Sequence, residues 1–204
     1  MDGDEADLNQ LAQLAQEFDA TLILDDAHAM GCYGQKGEGF ATADSVNTPK
    51  LIITGTLSKA LGSYGGFVCA STTVIDYLAN KARPYIYNTA LPLVHVESAL
   101  RNLDFIESHR PQIKLRENIA FFAKDWGKYS QALSCPIIKI PMGDNEKALH
   151  LSDWLLSEGF HVPAIRYPTV SRKNTMLRVS LSASHTHDQI RGLCAALSHG
   201  TITA

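Results

Sequence analysis

Residues 51–66 read LIITGTLSKALGSYGG, an apolar run followed directly by a lysine and a glycine-rich turn. The start of this run lacks polar alternation, which predicts a strand buried on both faces, as in a parallel sheet. In open α/β sheets, ligands bind beyond the carboxyl ends of the strands. Thr56, Ser58 and Lys59 lie at or just past this strand end, so they are candidate site residues.

Two further runs have the same character, TLILDDAH at 21–28 and GGFVCAS at 65–71. The first of them ends in Asp25 and Asp26, with His28 close behind. We therefore expect three parallel strands, with two strand ends presenting carboxylate, imidazole, hydroxyl and amine groups to one region. Three parallel strands form a poor independent sheet, since parallel sheets usually have more strands and helices on both faces.

These side-chain types match the needs of a pyridoxal phosphate (PLP) site. A lysine amine forms a Schiff base with a carbonyl, and a carboxylate such as Asp25 pairs with a pyridinium nitrogen. The hydroxyls of Thr56 and Ser58 can bind phosphate oxygens, and glycines let the backbone approach closely. The rival phosphate motif GxxxxGK[ST] is not met, because Ser58 precedes Lys59 and Ala60 follows it.

Each residue also has an ordinary structural interpretation. A lysine at a strand end is commonly solvated, Asp25 could cap a turn, and His28 could be a hydrogen-bonded structural histidine. The glycines alone indicate only a turn. The order of the groups, with one supplied at each strand end, favours the cofactor site.

The pattern changes after the third run. We expect an irregular stretch at RPYIYNTALP, then two long helices, and finally a compact α+β unit. The boundary is placed near residue 105, which gives a partial large domain (1–105) and a C-terminal α+β small domain (106–204). The predicted helices are 7–18, 74–82, 93–108, 113–130, 146–157 and 186–197, and the later strands are PIIKI, FHVPAI and MLRVSLS.

The composition argues against several classes of function. A formal net charge of −3 gives no nucleic-acid footprint, and no apolar run approaches a membrane span. The acidic start MDGDEAD is unlike a signal peptide, and the four cysteines lack CxxC spacing, as in reduced cytoplasmic proteins. His185 and His187 lack further ligands nearby, so we expect no metal, and Thr186 or Asp188 is expected to start a helix.

The segments LDDAHAMGCYGQKGEGF (24–40) and TGTLSKALGSYGGFVCAS (54–71) closely resemble the α-oxoamine synthase family. The resemblance covers nearly the whole chain and implies PLP-dependent transferase fold type I, the α/β fold of aspartate aminotransferase. The family joins an amino acid to an acyl thioester with loss of carbon dioxide. The resemblance therefore implies PLP as cofactor and a homodimer, with the stretch YIYNTALP (85–92) near the dimer interface.

The resemblance also implies a role for each motif residue of the large domain. Lys59 would hold PLP as a Schiff base and remove the α-proton of the amino acid. Asp25 would pair with the pyridine nitrogen, and His28 would hydrogen-bond the 3-hydroxyl group. Thr56 would bind the phosphate, with Ser58 assisting.

In the small domain, AIRYPTV (164–170) carries the implied substrate contacts, Arg166 for the carboxylate and Thr169 for the acyl substrate. Several segments favour the family member that serves biotin synthesis, which takes L-alanine and a pimeloyl thioester. A member that takes glycine, and a non-catalytic fragment or partner subunit, are the alternatives. The family's remaining cofactor contacts would lie upstream of Met1, so we expect the chain to be the C-terminal part of a longer enzyme.

Overall fold

The computed structural model of the chain describes residues 1–40, 46, 48–127 and 134–203, except for the side chains of 201–203. These residues form two compact units. The N-terminal unit is Ala6–Gln112, and the C-terminal unit combines Met1–Glu5 with the chain from Ile113 onward. The domain boundary near residue 105 stays a prediction.

The N-terminal unit contains short strands flanked by helices. Its first helix begins after Asp7, because the Asp7 carboxylate accepts a hydrogen bond from the Gln10 amide at 3.0 Å. The stretch expected to be irregular, 83–92, starts with a short helix. The elements are α1 (Leu8–Glu17), β1 (Leu22–Asp25), β2 (Leu51–Thr56), β3 (Gly66–Cys69), α2 (Thr72–Lys81), α3 (Arg83–Ile86) and α4 (Leu93–His109).

The strand directions differ in part from the expectation. β1 and β2 are parallel, with Asp25 opposite Thr54, so both strands end at the same edge of the sheet. β3 runs antiparallel to β2, with Thr56 opposite Gly66, so the expectation of three parallel strands is wrong. The physical reason is the connection 57–65, which is shorter than the dozen or more residues that a parallel crossover needs.

The expected burial of these strands on both faces is also wrong. Ile23 of β1 is 66% exposed, and every residue of β2 is only partly buried. Within the described residues the sheet order is β1-β2-β3, which makes β1 an edge strand. An edge strand of so small a sheet lacks the neighbours that cover both faces of a larger parallel sheet.

The C-terminal unit is built on an antiparallel sheet of β4 (Ile137–Pro141), β5 (Ala164–Ile165) and β6 (Met176–Ser180), in which β6 is the central strand. Helix α5 (Pro111–Trp126) begins with Pro111, two residues before the expected start at 113, and residues 128–130 of the expected helix lie outside the described part of the chain. The strand expected at FHVPAI contracts to two residues, because Pro163 has no amide hydrogen to donate. The elements are α5 (Pro111–Trp126), β4 (Ile137–Pro141), α6 (Asn145–Ser157), β5 (Ala164–Ile165), a 3₁₀ turn (Arg172–Asn174), β6 (Met176–Ser180) and α7 (His187–Thr203).

The core of the C-terminal unit contains side chains from the sheet and from its helices. Leu155 of α6, Leu177 of β6 and Leu197 of α7 are fully buried. Thr186 starts α7 as expected: its hydroxyl accepts from the Gln189 amide at 3.2 Å, and the Gln189 side chain accepts from the Thr186 amide at 3.0 Å. This reciprocal pair is a capping box.

Within the described ranges, no helix has the length and apolar character that crossing a bilayer requires. The same residues contain no cluster of three or more histidine, cysteine or acidic side chains arranged to hold a metal ion. No disulfide links the four cysteines, all of which lie in the described part of the chain.

Candidate active site

Asp25 is the last residue of β1, and its side chain is exposed at the carboxyl edge of the sheet. Its Oδ1 accepts a hydrogen bond from the Ala27 amide at 3.0 Å. Among the described residues, nothing donates to its Oδ2. Asp25 therefore offers one carboxylate oxygen to a ligand while the other holds the turn that follows.

That turn carries His28 and is held by Asp26. The buried Asp26 carboxylate accepts from the Phe40 amide at 3.1 Å. The Asp26 carbonyl accepts from the amides of Ala29, at 3.0 Å, and Met30, at 3.2 Å. His28 is exposed on this turn, so the structure places it on the segment that directly follows Asp25.

Thr56 ends β2 and is hydrogen-bonded to the loop that carries Lys59. Thr56 Oγ1 lies 2.7 Å from Ser58 Oγ, donates to the Gly65 carbonyl at 3.1 Å and accepts from the Ser58 amide at 3.2 Å. The two hydroxyls are thus adjacent, and the Ser58 side chain is exposed. An anion bound here would compete with the Gly65 carbonyl for the Thr56 proton.

Lys59 lies in the loop 57–65, which folds back on itself between β2 and β3. The Leu57 amide donates to the Gly65 carbonyl at 2.9 Å, and the Ser63 amide donates to the Leu57 carbonyl at 2.8 Å. Gly65 adopts φ +119, and a Cβ there would lie 2.7 Å from Leu91 Cδ1, so glycine is required. The Lys59 side chain is exposed at the surface of this loop.

A close approach of Gly31 and Ala60 joins the two strand-end segments. Gly31 has φ +79, and a Cβ at Gly31 would overlap the Cβ of Ala60, which is next to Lys59 in the chain. The turn that carries His28 and the loop that carries Lys59 are therefore in contact at this point. One edge of the sheet in the N-terminal unit therefore carries the five predicted site residues, which are Asp25, His28, Thr56, Ser58 and Lys59.

Sequence reasoning did not single out two polar residues beside Ser58. Asn88 and Thr89 line the same cavity of about 680 Å³ as Ser58, Gly65 and Gly66. The signal in the sequence was a polar pair inside the aromatic stretch RPYIYNTALP. The cavity therefore adds the Asn88 amide and the Thr89 hydroxyl to the hydroxyls of Thr56 and Ser58.

The predicted substrate contacts lie in the C-terminal unit. Arg166 directly follows β5, Thr169 lies three residues further on, and both side chains are exposed. Arg178, which sequence reasoning passed over, is half-buried in β6, and within the described residues its buried Nε has no hydrogen-bond partner. A lone charge inside the apolar run MLRVSLS was the signal for it.

The groups at the sheet edge in the N-terminal unit fit the chemistry of PLP. Asp25 Oδ2 is an acceptor for a ring N–H, and Lys59 supplies an amine for the aldehyde. Thr56 and Ser58 supply adjacent hydroxyls for phosphate oxygens. The backbone at Gly66, where a Cβ would lie 3.3 Å from the Gly55 carbonyl oxygen, has little room for a side chain.

The sequence family described as aminotransferase class I and II matches residues 1–197. The chain belongs to this family. Among curated proteins, 8-amino-7-oxononanoate synthase from Cupriavidus necator is 42% identical over 97% of this chain and 52% of its own length. The same-named protein of Methylobacillus flagellatus is 40% identical over 95% of this chain and 50% of its own length. The chain thus spans about half the length of the curated relatives it matches.

Solved structures confirm fold type I. A serine palmitoyltransferase from S. paucimobilis with bound PLP superposes with a TM-score of 0.90 and 26% identity, over 100% of this chain and 52% of that protein. The 8-amino-7-oxononanoate synthase of Francisella tularensis gives a TM-score of 0.77 and 32% identity, over 95% of this chain and 58% of that protein. Both are α-oxoamine synthases, so the resemblance seen in the sequence is confirmed.

Proposed function

We propose that this chain belongs to a PLP-dependent acyltransferase that condenses L-alanine with a pimeloyl thioester and releases carbon dioxide and the free thiol of the acyl carrier. The product would be 8-amino-7-oxononanoate, used in biotin synthesis. The observation that carries the proposal is the single sheet edge on which Asp25, Thr56 and Lys59 meet. Relatives named 8-amino-7-oxononanoate synthase at about 40% identity support this choice of reaction.

In this proposal PLP, when bound, supplies an electron sink for the carbanion that forms at the substrate α-carbon. The residues of the chain have distinct tasks around it. Lys59 Nζ would hold the aldehyde of PLP and would take and return the α-proton of the amino acid. Asp25 Oδ2 would keep a proton on the ring nitrogen, and His28 would hydrogen-bond the 3-hydroxyl group. Thr56 and Ser58 would hold the phosphate through their hydroxyls.

The substrate carboxylate is proposed to bind an arginine of the C-terminal unit. Arg166 is the residue that the sequence resemblance indicates, with Thr169 contacting the acyl substrate. Arg178 is a second candidate, because its buried Nε lacks a hydrogen-bond partner among the described residues. The two candidates are distinguished by replacing each arginine by lysine in the full gene product and measuring KM for the amino acid. KM should rise only in the variant that lacks the arginine that binds the carboxylate.

A second candidate function is another α-oxoamine synthase activity with a different amino acid. The superposition on serine palmitoyltransferase, with a TM-score of 0.90, supports this second candidate. Incubating the full gene product with L-alanine, glycine or L-serine, each with pimeloyl-CoA or pimeloyl-acyl carrier protein, separates the candidates. Carbon dioxide release with L-alanine alone would support the biotin-pathway reaction, and release with glycine or L-serine would favour another member of the family.

The cofactor role itself is tested by borohydride reduction after incubation with PLP, followed by peptide mapping. Label on Lys59 alone supports the proposal. Label spread over exposed lysines such as Lys50 and Lys114, or no label on the full gene product, contradicts it. The latter result would favour the remaining alternative, a non-catalytic fragment or partner subunit that uses this fold for assembly.

We also infer that the protein acts as a homodimer. Tyr85, Tyr87 and Leu93 lie close together in the chain and are 71%, 80% and 84% exposed. Apolar side chains exposed to this extent are typical of interaction surfaces. Light scattering on the full gene product should give twice the monomer mass, and Tyr87→Glu should reduce it towards the monomer.

A further inference from the structure

Helix α4 packs against both strand-end segments of the candidate site. Ala99, Asn102 and Ile106 are spaced three and four residues apart, so they share one face of the helix. Ile106 is buried against the turn that follows His28, where a Cβ at Gly37 would lie 2.9 Å from Ile106 Cγ2. One turn earlier on the same face, Asn102 reaches the loop that carries Lys59.

The contact of Asn102 is with the backbone of that loop. Asn102 Nδ2 donates to the Leu61 carbonyl at 2.7 Å, two residues beyond Lys59. A second bond joins the same helix and loop, since Ser63 Oγ donates to the His95 carbonyl at 2.6 Å. Both bonds link residues more than thirty positions apart, so they fix the loop to α4 rather than only to itself.

Leu61 gives the Asn102 bond its importance. The residue is 4% exposed, and a buried carbonyl without a donor is costly. The Gly62 amide donates to the Lys59 carbonyl at 3.0 Å. Leu61 therefore lies within the same hydrogen-bonded turn as Lys59. The Lys59 side chain is exposed, so the backbone of this loop sets the point from which the amine extends.

We propose that Asn102 is a positioning residue for Lys59. By satisfying the Leu61 carbonyl from α4, it holds the lysine loop in register with the Asp25–His28 turn, which Ile106 of the same helix face contacts. The inference rests on the proposed function, because it concerns the amine that binds PLP. The Asn102 side-chain amide contacts the loop backbone at Leu61, and through this contact it would influence the reactivity of the Lys59 amine.

The test compares Asn102→Asp with Asn80→Asp in the full gene product. Both substitutions replace an amide donor with a carboxylate of the same shape. Asn80 Nδ2 donates to the Asp76 carbonyl at 2.8 Å on α2, so it is a matched helix asparagine outside the site. The first readout is amide hydrogen exchange of the peptide 57–66 without cofactor, and the second is PLP labelling of Lys59 relative to Lys50 after borohydride reduction.

We expect Asn102→Asp to speed exchange across 57–66 by about tenfold and to lower the Lys59-to-Lys50 labelling ratio by a similar factor. Asn80→Asp should change neither. A merely structural role would lower thermal stability but leave the labelling ratio of the folded protein unchanged. If Asn102→Asp does not fold, Asn102→Leu, which keeps the size without a charge, replaces it.

The outcomes separate the two proposals. Selective Lys59 labelling in the unmodified protein, with the same ratio in the Asn102 variants, overturns the positioning role and leaves the proposed function standing. Absence of Lys59 labelling in the unmodified protein overturns both. Faster loop exchange together with a reduced ratio supports both.

Discussion

The two units of the chain bury their apolar side chains to very different extents. Among the described residues, the largest fully buried apolar side chains, such as Phe122 and Leu155, all lie in the C-terminal unit. In the N-terminal unit, by contrast, Phe18 and Ile23 are 70% and 66% exposed. The proposed cofactor-binding groups belong to the less closely packed unit.

The two units show that burial of apolar side chains and convergence of strand ends have different structural requirements. In the C-terminal unit, helices pack against an antiparallel sheet. This packing buries the apolar side chains of the sheet and those of the helices. The N-terminal unit has a narrow sheet with an edge at β1, yet its strand ends converge. Convergence depends on strand direction and register, which two paired strands already establish, whereas burial depends on neighbours on every side.

The largest expected effect is on Lys59. Lys59→Ala should lower turnover of the full gene product by a thousandfold or more, on the order of the loss of a covalent and acid–base group. The control is Lys50→Ala, which removes an ion pair with the exposed Asp19 carboxylate and a hydrogen bond to the Asp19 carbonyl. Product formation is followed by mass spectrometry, and near-normal turnover of the Lys59 variant would contradict the assignment.

Cys69 of the N-terminal unit and Cys194 of the C-terminal unit should differ in alkylation rate by about a thousandfold. Burial, with a smaller contribution from the nearby Asp125 carboxylate, raises the pKa of Cys194 to about 12. A raised thiol pKa keeps the unreactive protonated form at pH 8, and the thiolate is the nucleophile. Cys69 of β3 is exposed, so iodoacetamide should label it first. Equal labelling of Cys194 in the folded protein would show that the C-terminal core opens readily.

Asp25→Asn should reduce turnover by about a hundredfold while the fold is kept. The amide retains an acceptor for the Ala27 amide, but it cannot hold a proton on a pyridine nitrogen as a carboxylate does. The rate of α-proton exchange of L-alanine in deuterated water measures the effect. Asp76→Asn, an exposed carboxylate of α2, is the control, and an unchanged exchange rate for the Asp25 variant would exclude the proposed role.

The packing contrast itself is tested with two leucines. Leu155→Ala in the C-terminal core should cost about 3 kcal/mol of unfolding free energy, whereas Leu14→Ala on α1 should cost less than about 1 kcal/mol. Leu155 is fully buried and Leu14 is 50% exposed. Urea denaturation followed by circular dichroism gives both values. A comparable cost for Leu14→Ala would mean that another surface covers this face of α1 in the purified protein.

Local patterns predicted most elements of the fold. The apolar spacing of residues 7–18 and the helix start expected at Thr186 or Asp188 placed α1 and α7 within a residue or two of their observed starts, because both signals depend on near neighbours in sequence. The direction of β3 and the exposure of Ile23 were missed. Both depend on which strands pair and what covers them, and apolar runs alone do not specify either.

The site was predictable to the same degree. Asp25, Thr56 and Lys59 were recognisable because each follows an apolar run, and strands in parallel end at one edge. The contact of Gly31 with Ala60, and the bond from Asn102 to Leu61, could not be read from the sequence. They join residues tens of positions apart, and nothing in the local pattern of α4 marks Asn102 as different from any half-exposed asparagine.

The sequence by itself determined the chemistry available at the strand ends and the family to which the chain belongs. Residue type and order carry that information, since an amine, a carboxylate and hydroxyls keep their reactivity wherever the chain puts them. Only the tertiary structure decided how these groups are held. In the loop that carries Lys59, the Leu61 carbonyl accepts from Asn102 of α4, and the Ser63 side chain donates to the His95 carbonyl of the same helix. Such long-range hydrogen bonds exist only once the sheet and α4 have packed together.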